Sequence, residues 1–426
     1  MTSAPVSSEV LAQLARTRPA PAGTAALSAG LHARRLVLLK ALLARIDRGG
    51  DRLGSAARHR FDRDWAVLER AEQSDAAAAR GVVDYPMTGA WLAETLAAPD
   101  GPAFERHLAH LGAVAAAAAL RAGCRVAMDV DVPSGVLALT GVGVLRCPTG
   151  RARLHIKSGL MRITGSGSPG GVLLHVPPGV QRPRGGGVLW AGLRTLLGGA
   201  VVIDDLDPYR VPPSGIGPDA LPAVERSTVR DQAWALRWKG AQQLLAATDP
   251  DRAAEVRAVL RAVVPLAAGA GRDDGNPMSA TLRAAPGAVL MSLPAGPAQM
   301  AEVLVHEAHH TKLAALHELV PLCEPERGAV HRVGWRPDPR PIAGVLQGAY
   351  AHLALADLWR RARAGTATPE PWRRRAAEQF ETYREQVGGA LSILLESDEL
   401  TFEGREFVQE MGRHHASLGR ASRVFG

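Results

Sequence analysis

The segment Val303-Leu-Val-His-Glu-Ala-His-His-Thr-Lys-Leu313 decides how the rest of this chain is organised. It contains His306, Glu307 and His310 in an H-E-x-x-H pattern. On an α-helix, residues four positions apart lie on one face, where two imidazoles can bind the same metal ion. The residues around the motif are apolar on nearly every side, which is typical of a central, buried helix. Because polar side chains are costly to bury without a partner, this segment predicts a metal-binding helix that begins near Pro297.

The overall composition limits the kinds of partner that we expect. With 46% hydrophobic residues, the 426-residue chain can bury a large core. Lys and Arg together outnumber Asp and Glu by 50 to 42, but nearly all of the basic side chains are arginines. The basic runs carry no interleaved aromatic residues, so we expect no nucleic-acid partner.

Cysteine usage and hydropathy bear on the compartment. The three cysteines have no C-x-x-C spacing, which argues against a disulfide framework and fits a reducing environment. No signal-peptide pattern is present at the start, and the longest apolar run is too short to span a bilayer. We therefore expect a cytoplasmic protein without a membrane partner, and the sequence leaves its oligomeric state unknown.

The hydrophobic period changes along the chain and divides it into three parts. Residues 1–125 predict a helical scaffold domain, with helices that include Trp65–Gly81 and Phe104–Ala122. Residues 126–270 contain short alternating runs, which predict a β-rich middle with additional helices. Residues 271–426 predict a metal-binding catalytic domain. The expected fold is α+β and predominantly helical, with a helical N-terminal part, a β-rich middle and a helical metal-binding C-terminal part.

Three segments between residues 201 and 293 carry more specific predictions. Val201–Arg210 predicts a strand that ends in an acidic turn, although its aspartates could instead bind a cation. Val229–Val264 predicts two helical pieces with a break near Pro250. Ser279–Leu282 and Gly287–Leu293 predict a strand pair just before the metal helix, and the second strand is a candidate surface for an extended peptide.

Two histidines need at least one further ligand. Leu313 and Leu316 stand where a metzincin has Gly and His, which excludes that class of metalloprotease. The next predicted helix contains a single imidazole, His352, among Ala and Leu residues. Imidazole suits the same metals as the first pair, so we predict His352 as the third ligand, with Asp357 and Asp338 as alternatives.

The segment between the two helices, Trp335-Arg-Pro-Asp-Pro-Arg-Pro341, carries candidate anion-binding residues. Alternating prolines hold such a chain extended. Arg336 and Arg340 would then be fixed beside the metal, where two guanidinium groups suit a carboxylate. The alternative is a structural clamp in which they pair with Asp338. Lys312 is a further candidate cation.

Several separated motifs in one order resemble a known family. His306–His310, Lys312–Leu316, Trp335–Pro341 and Gln347–His352 closely resemble the corresponding motifs of the HExxH peptide β-hydroxylases, which use 2-oxoglutarate and modify ribosomally synthesised peptides. The resemblance is dense over residues 279–359 and looser elsewhere. One small departure from the family pattern is His309, where we would expect Gln or another polar residue. His309 is not one of the expected ligands.

The resemblance implies an iron enzyme. Fe(II) would be held by His306, His310 and His352, with 2-oxoglutarate as co-substrate and O2 as oxidant. The expected reaction hydroxylates a side-chain Cβ of a precursor peptide. Arg336, Arg340 or Lys312 would bind the co-substrate, and Glu307 would act as a weak or outer-sphere ligand.

Two other functions remain open from the residues themselves. In a zinc peptidase, Glu307 would be the general base, and neither an arginine pair nor a co-substrate would be needed. In a non-catalytic peptide-binding scaffold the metal would be structural. Closed structural sites favour cysteine-rich ligand sets, and the motif offers none.

Overall fold

Helices dominate the architecture at both ends of the chain. The computed structural model describes residues 6–49, 53–165, 171–175, 184–185, 189–226, 228–267, 278–325 and 328–419. Helices make up 56% of the structure and strands 16%, with the sheets concentrated in the middle of the chain. The expected α+β, predominantly helical fold is therefore confirmed. No described helix combines the length and the apolar character needed to cross a lipid bilayer.

The elements are numbered in chain order. The helices are α1 (Ser8–Ala15), α2 (Pro21–Gly49), α3 (Ser55–Ser74), α4 (Ala76–Val83), α5 (Pro86–Ala97), α6 (Pro102–Leu108), α7 (Leu111–Arg121), α8 (Thr228–Thr248), α9 (Pro250–Val259), α10 (Pro297–Leu319), α11 (Ile342–Ala364), α12 (Glu370–Glu396) and α13 (Phe402–Leu418). The strands are β1 (Val126–Asp131), β2 (Val136–Leu139), β3 (Gly143–Arg146), β4 (Arg151–Lys157), β5 (Leu160–Thr164), β6 (Val172–His175), β7 (Arg184–Gly185), β8 (Trp190–Gly192), β9 (Arg194–Thr195), β10 (Val202–Ile203), β11 (Ala262–Pro265), β12 (Ser279–Ala280), β13 (Ala288–Met291), β14 (His331–Val333) and β15 (Arg336–Arg340).

The strands of the described residues form four sheets. An antiparallel sheet has the order β1-β4-β5-β6-β7, and a smaller one has the order β2-β3-β8. A mixed sheet has the order β12-β13-β11-β10-β9, with β10, β11 and β13 parallel to one another. The last sheet is the hairpin β14-β15. In the mixed sheet β11 and β13 are buried on both faces, as expected for central parallel strands.

Helix α10 lies at the centre of the C-terminal part. Pro297 occupies its first turn, where the missing N–H costs nothing, and the helix runs without Gly or Pro to Leu319. It packs against α2, α8, α9 and α11 and against strands β12 and β13. The prediction of a buried central helix around the H-E-x-x-H motif is confirmed.

Two large buried clusters run across the expected first boundary. One combines α1 and the start of α2 with β10, β11, β13 and the helices α8 to α13. The other combines the rest of the N-terminal helices, including the alanine-rich α7, with strands β1 to β6. The packing thus shows no break at 125/126, and the junction at 270/271 lies outside the described residues. The three-domain division stays a prediction.

Three sequence predictions need correction in detail. The expected helix Trp65–Gly81 is split, because the Asp75 side chain accepts a hydrogen bond from the Ala78 N–H and starts α4. The expected helix Phe104–Ala122 is also split, between α6 and α7. The last residues of the expected Val229–Val264 helical segment form β11 instead, because an apolar run placed inside a sheet buries both faces. The break at Pro250 is confirmed.

Two predictions around the mixed sheet are confirmed, but the second strand of the pair has no free edge for a peptide. The acidic turn after β10 is confirmed, because Asp204 Oδ1 accepts the N–H groups of Leu206 and Asp207 and thereby closes the turn. The strand pair before the metal helix is also confirmed as β12 and β13. However, β13 lies between β12 and β11 and is fully buried, so it offers no free edge to a peptide. On this side of the sheet the edge strand is β12.

A network of buried charges supports α10 from the side opposite its motif histidines. Lys312 Nζ lies 2.6 Å from Glu255 Oε1, and Arg252 Nη1 lies 3.1 Å from Glu255 Oε2. Arg252 also donates to His309 Nε2 at 2.9 Å, and all four side chains are buried. Lys312 was expected as a co-substrate cation. Its position corrects that expectation, because it lies 200° around the helix from His310 and is already neutralised by Glu255.

We expect Lys312→Met to destabilise the fold without changing co-substrate dependence. The substitution keeps most of the side-chain volume but leaves Glu255 with a reduced set of positive partners. Breaking a buried pair from one side costs about 3–5 kcal/mol, which is measurable as a loss in the free energy of unfolding in urea. Arg373→Met is the control, because its guanidinium pairs with Glu370 on the surface and should contribute little. Equal stability of the two variants would contradict a structural role for Lys312.

Candidate metal centre

The two motif histidines of α10 meet at their Nε2 atoms. His306 Nε2 lies 2.9 Å from His310 Nε2, and the two rings stand nearly perpendicular at 87°. A neutral imidazole carries one N–H and one lone pair, so either one ring donates its Nε2–H to the other or both Nε2 lone pairs converge on a metal cation. Desolvation, together with the charges of neighbouring imidazoles, holds the pKa of His306 well below its usual range. The His306 ring therefore stays neutral, which is the form that binds a metal.

His352 on α11 completes a group of three imidazoles. Its ring centroid lies 5.1 Å from that of His306. The Nδ1–H of His352 donates to the Gly348 carbonyl at 2.8 Å, which leaves its Nε2 lone pair free. Burial lowers the pKa of His352 to about 4, the Gly348 hydrogen bond opposes this shift, and His310 adds to it. A neutral ring with a free Nε2 is the form that binds a metal.

Neighbouring side chains fix the orientation of the histidine rings. His310 Nδ1 lies 3.1 Å from Gln347 Oε1, and this acceptor places the proton on Nδ1 and leaves Nε2 for a metal. The His352 ring is stacked between Trp335, at 4.5 Å, and Tyr383, at 5.3 Å. Metal-binding histidines typically donate their second N–H to a carbonyl or carboxylate oxygen. The arrangement of both rings follows that pattern.

A glycine makes room for one of these aromatic partners. An added Cβ at Gly348 would lie 2.5 Å from Trp335 Cζ2, so a larger residue would push the indole off His352. The sequence shows Gly348 as a small residue on α11, but its partner cannot be read from the chain alone. Gln347, Trp335 and Tyr383 were all missed as supports of the ligands. Only the spacing of Gly348 and His352, four positions apart on one helix, could have indicated a contact between these supports and a ligand.

Glu307 is buried and held by two hydroxyl groups. Ser279 Oγ donates to Glu307 Oε1 at 2.7 Å, and Thr281 Oγ1 donates to Glu307 Oε2 at 2.5 Å. The residues sit two positions apart along the chain at β12, a spacing that puts both side chains on one face of a strand. Sequence reasoning missed both hydroxyls, although that spacing was visible. They orient the carboxylate and compensate part of its burial.

The donor set fits a divalent transition metal. Among the described residues, one group whose ligand atoms lie within 4.8 Å of one another consists of His306, Glu307 and His310. His352 adds to this group through its ring contact with His306. Imidazole nitrogens suit Fe, Zn, Cu and Ni, and three protein ligands with further positions left open are typical of a catalytic metal site. The structure thus brings His306 and His310 together with Glu307, and His352 lies next to them in ring contact with His306. The role of His352 as third ligand stays a prediction.

The alternative third ligands lie elsewhere. Asp357 is fully buried, and its carboxylate is paired with Arg252 at 3.4 Å and with Arg361 at 3.2 Å. Asp338 is half exposed and pairs with Arg336. Neither carboxylate joins the group of imidazoles, so His352 is the better third ligand on geometry.

A cleft of about 900 Å³ opens beside the metal-binding histidines. Its walls come from β12, from the cleft-facing side of α10 and from the start of α11. Arg336 lines this cleft, and so does Arg283, which sequence reasoning missed. Arg283 is largely exposed and pairs with Glu318. The cleft has room for a peptide segment together with a small co-substrate.

The arginine pair is engaged with Asp338, as in the clamp alternative. Arg336 donates to both carboxylate oxygens of Asp338, at 2.9 and 2.8 Å, and Arg340 Nη2 lies 3.1 Å from the same residue. The extended conformation predicted for this segment is confirmed as β15. Arg340 is not among the described residues that line the cleft, so the geometry gives its expected role in binding the co-substrate no support, and that role stays a prediction. Arg336 keeps that possibility, because it lines the cleft and its ion pair is exposed.

We expect His352→Ala to abolish tight metal binding while leaving the fold intact. Removal of one of three ligands should lower the affinity for Fe(II) by more than about 100-fold, the upper range seen when only an outer-sphere partner is lost. Metal content after gel filtration and titration with Co(II) measure this, and circular dichroism checks the helices. The control is His317→Ala, because His317 lines the same cleft further along α10. Full metal occupancy in His352→Ala would remove His352 from the ligand set.

Comparison with known proteins adds no family assignment to this geometry. No protein-family model matches the chain, and no curated protein matches it either. The resemblance to the HExxH peptide β-hydroxylases therefore rests on the motifs quoted above. The three imidazoles, the buried Glu307 and the cleft beside them are the features of the structure that bear on function.

Proposed function

We propose that this protein is an Fe(II)- and 2-oxoglutarate-dependent dioxygenase that β-hydroxylates a side chain of a ribosomally synthesised precursor peptide. The observation that carries the proposal is the close approach of His306 and His310, with the His352 ring in contact with His306 and with two of the rings fixed in the tautomer that presents Nε2. The order of motifs in the sequence, which resembles the HExxH peptide β-hydroxylases, supports iron over other metals. We place the reaction in the cytoplasm, where the free cysteines would stay reduced.

Iron bound there would supply the O2 chemistry, in which 2-oxoglutarate is oxidised to succinate and CO2 while one oxygen atom enters a Cβ–H bond of the peptide. The protein residues hold the ligands in place. Gln347 and the Gly348 carbonyl each hold a histidine Nδ1 proton. Glu307 adds a negative charge beside three neutral rings, and Ser279 and Thr281 keep its carboxylate directed.

Arg336 is the side chain of the predicted set that is best placed to bind the distal carboxylate of 2-oxoglutarate. It lines the cleft beside the histidines. Its present partner, Asp338, is half exposed, and an exposed ion pair contributes little stability. Exchange of Asp338 for a co-substrate carboxylate inside the cleft would therefore cost little, and the bidentate geometry of the guanidinium suits it.

A zinc peptidase is the second candidate, and one observation favours it. Glu307 lies within 4.8 Å of the histidine ligand atoms, as a general base would. However, both of its oxygens already accept a hydroxyl group, and the residue is only 2% exposed. That environment suits a fixed outer-sphere group better than a base that must exchange protons with water.

We expect Glu307→Gln to retain hydroxylation. The protein is loaded with Fe(II) without oxygen and incubated with 2-oxoglutarate, O2 and its precursor peptide, and the peptide mass is measured. The wild type should add one oxygen atom only when 2-oxoglutarate is present. Because the three imidazoles are unchanged, Glu307→Gln should keep the rate within about tenfold, whereas loss of a general base lowers rates by about 10²–10⁴.

Peptide cleavage by the zinc-loaded wild type, lost in Glu307→Gln, would overturn the hydroxylase and establish the peptidase. His352→Ala is the control for metal dependence in either case, because it removes the third ligand. A mass gain that does not need 2-oxoglutarate would also contradict the proposal.

We expect Arg336→Met to raise the KM for 2-oxoglutarate by about 10–100-fold, since a hydrogen bond to a charged group contributes about 1.5–3 kcal/mol. Arg340→Met is the matched control, because both arginines pair with Asp338 but only Arg336 lines the cleft. Initial rates against 2-oxoglutarate concentration measure the effect. Equal KM values in the two variants would exclude Arg336 and leave Arg283 as the next candidate.

A further inference from the structure

A second cavity lies behind the metal-binding helix, on the opposite side from the cleft. It measures about 90 Å³ and is lined by α2, α9, α10 and the residues just before β13. Thr311 and Lys312, which directly follow the second motif histidine, contribute to its wall. None of its lining residues is shared with the cleft beside the histidines. The proposed hydroxylase reaction gives this cavity no role.

The main polar group of the cavity is the guanidinium of Arg35. The residue is only 5% exposed, and its Nε has no hydrogen-bond partner in the described part of the chain. Gly89 on α5 provides the space, because a Cβ there would lie 1.9 Å from Arg35 Nη1. Burial lowers the pKa of Arg35 to about 10, with Asp84 opposing that shift. The guanidinium thus remains a buried cation at neutral pH.

A second polar atom in the same cavity is also without a partner. Thr311 is 3% exposed, and its Oγ1 forms no hydrogen bond with any described residue. A hydroxyl can donate to an anion as readily as a guanidinium can. Two residues of the cavity lining, one from α2 and one from α10, therefore each carry an unpartnered polar atom. Each would cost stability there unless a ligand or water satisfied it.

The charges around the cavity leave Arg35 in excess. Lys312 is neutralised by Glu255 at 2.6 Å. Asp84, the acidic side chain of the lining, already pairs with His32 at 2.8 Å and with Arg80 at 3.0 Å. Arg261 lies exposed at the rim and adds a further positive charge. The local field therefore attracts a negative ligand.

We propose that this cavity binds a small oxyanion, of the carboxylate or phosphate class, through the Arg35 guanidinium and the Thr311 hydroxyl. The volume of about 90 Å³ holds an anion of a few heavy atoms. The anion would bridge α2 and α10, and it would give a buried cation a negative partner beyond Asp84, which is already paired with His32 and Arg80. Planar guanidinium groups bind both classes of oxyanion in bidentate fashion.

The test uses the full chain in a buffer without chloride, phosphate or carboxylate. Acetate, inorganic phosphate and sulfate are titrated separately, and binding is followed by calorimetry and by the thermal unfolding midpoint. We expect saturable binding of at least one anion and a midpoint that rises with its concentration, as ligand linkage requires. The order of affinities among the three anions distinguishes a carboxylate site from a phosphate site.

Two variants localise the binding. Arg35→Met should abolish it, and Thr311→Val, which keeps the side-chain shape, should weaken it by about tenfold, the value of one hydrogen bond to a charged ligand. Arg34→Met is the control, because the neighbouring Arg34 pairs with Glu318 instead. Should Arg35→Met fail to fold, the Thr311→Val comparison decides. Absence of saturable binding, or equal binding by Thr311→Val and Arg34→Met, would overturn the proposal and leave a water-filled cavity.

Discussion

The close approach of two imidazole nitrogens on α10 is the constraint on which the site depends. His306 and His310 bring their Nε2 atoms to 2.9 Å, a contact that needs either an N–H on one ring or a cation between the two lone pairs. His352 presents a third neutral ring from α11, held by the Gly348 carbonyl. In the proposed site a divalent cation would bond to the lone pairs of these rings. The cleft, the buried Glu307 and the arginine at the rim are arranged around that point.

Helix α10 is fixed in place by polar contacts on two opposite sides. On the cleft side, Ser279 and Thr281 bind Glu307, which directly follows the first ligand. On the opposite side, Lys312 and His309 join the buried network around Glu255 and Arg252. Charges that are buried and paired from several elements resist displacement. The ligands therefore sit on a rigid helix, which suits a site that must keep its geometry through a reaction.

Local patterns in the sequence were sufficient for the main elements and for the close approach of the two motif histidines. The uninterrupted apolar segment after Pro297 predicted α10, and the alternating prolines near Trp335 predicted the extended β15. His352 was predicted because it is the single imidazole of the next apolar helix. The structure places its ring in contact with that of His306, and its role as a ligand stays a prediction.

Contacts between distant residues account for what could not be predicted. Lys312 resembled a free cation because its partner Glu255 lies 57 positions away in the chain. The pairing of Arg336 and Arg340 with Asp338 was an alternative that the sequence left open, since all three charges lie within five residues. The spacing alone could not decide whether the arginines bind Asp338 or a co-substrate carboxylate. The split of the helix at Asp75 depended on whether that side chain would cap, which local preference leaves open.

The central claim is that three histidines, and not two histidines with Glu307, hold the metal. Anomalous diffraction at the iron edge from crystals loaded anaerobically with Fe(II) tests it most directly. We expect one iron peak bonded to the Nε2 atoms of His306, His310 and His352, with Glu307 still hydrogen-bonded to Ser279 and Thr281. An iron bonded to His306, His310 and Glu307, with His352 unbonded, would contradict the account.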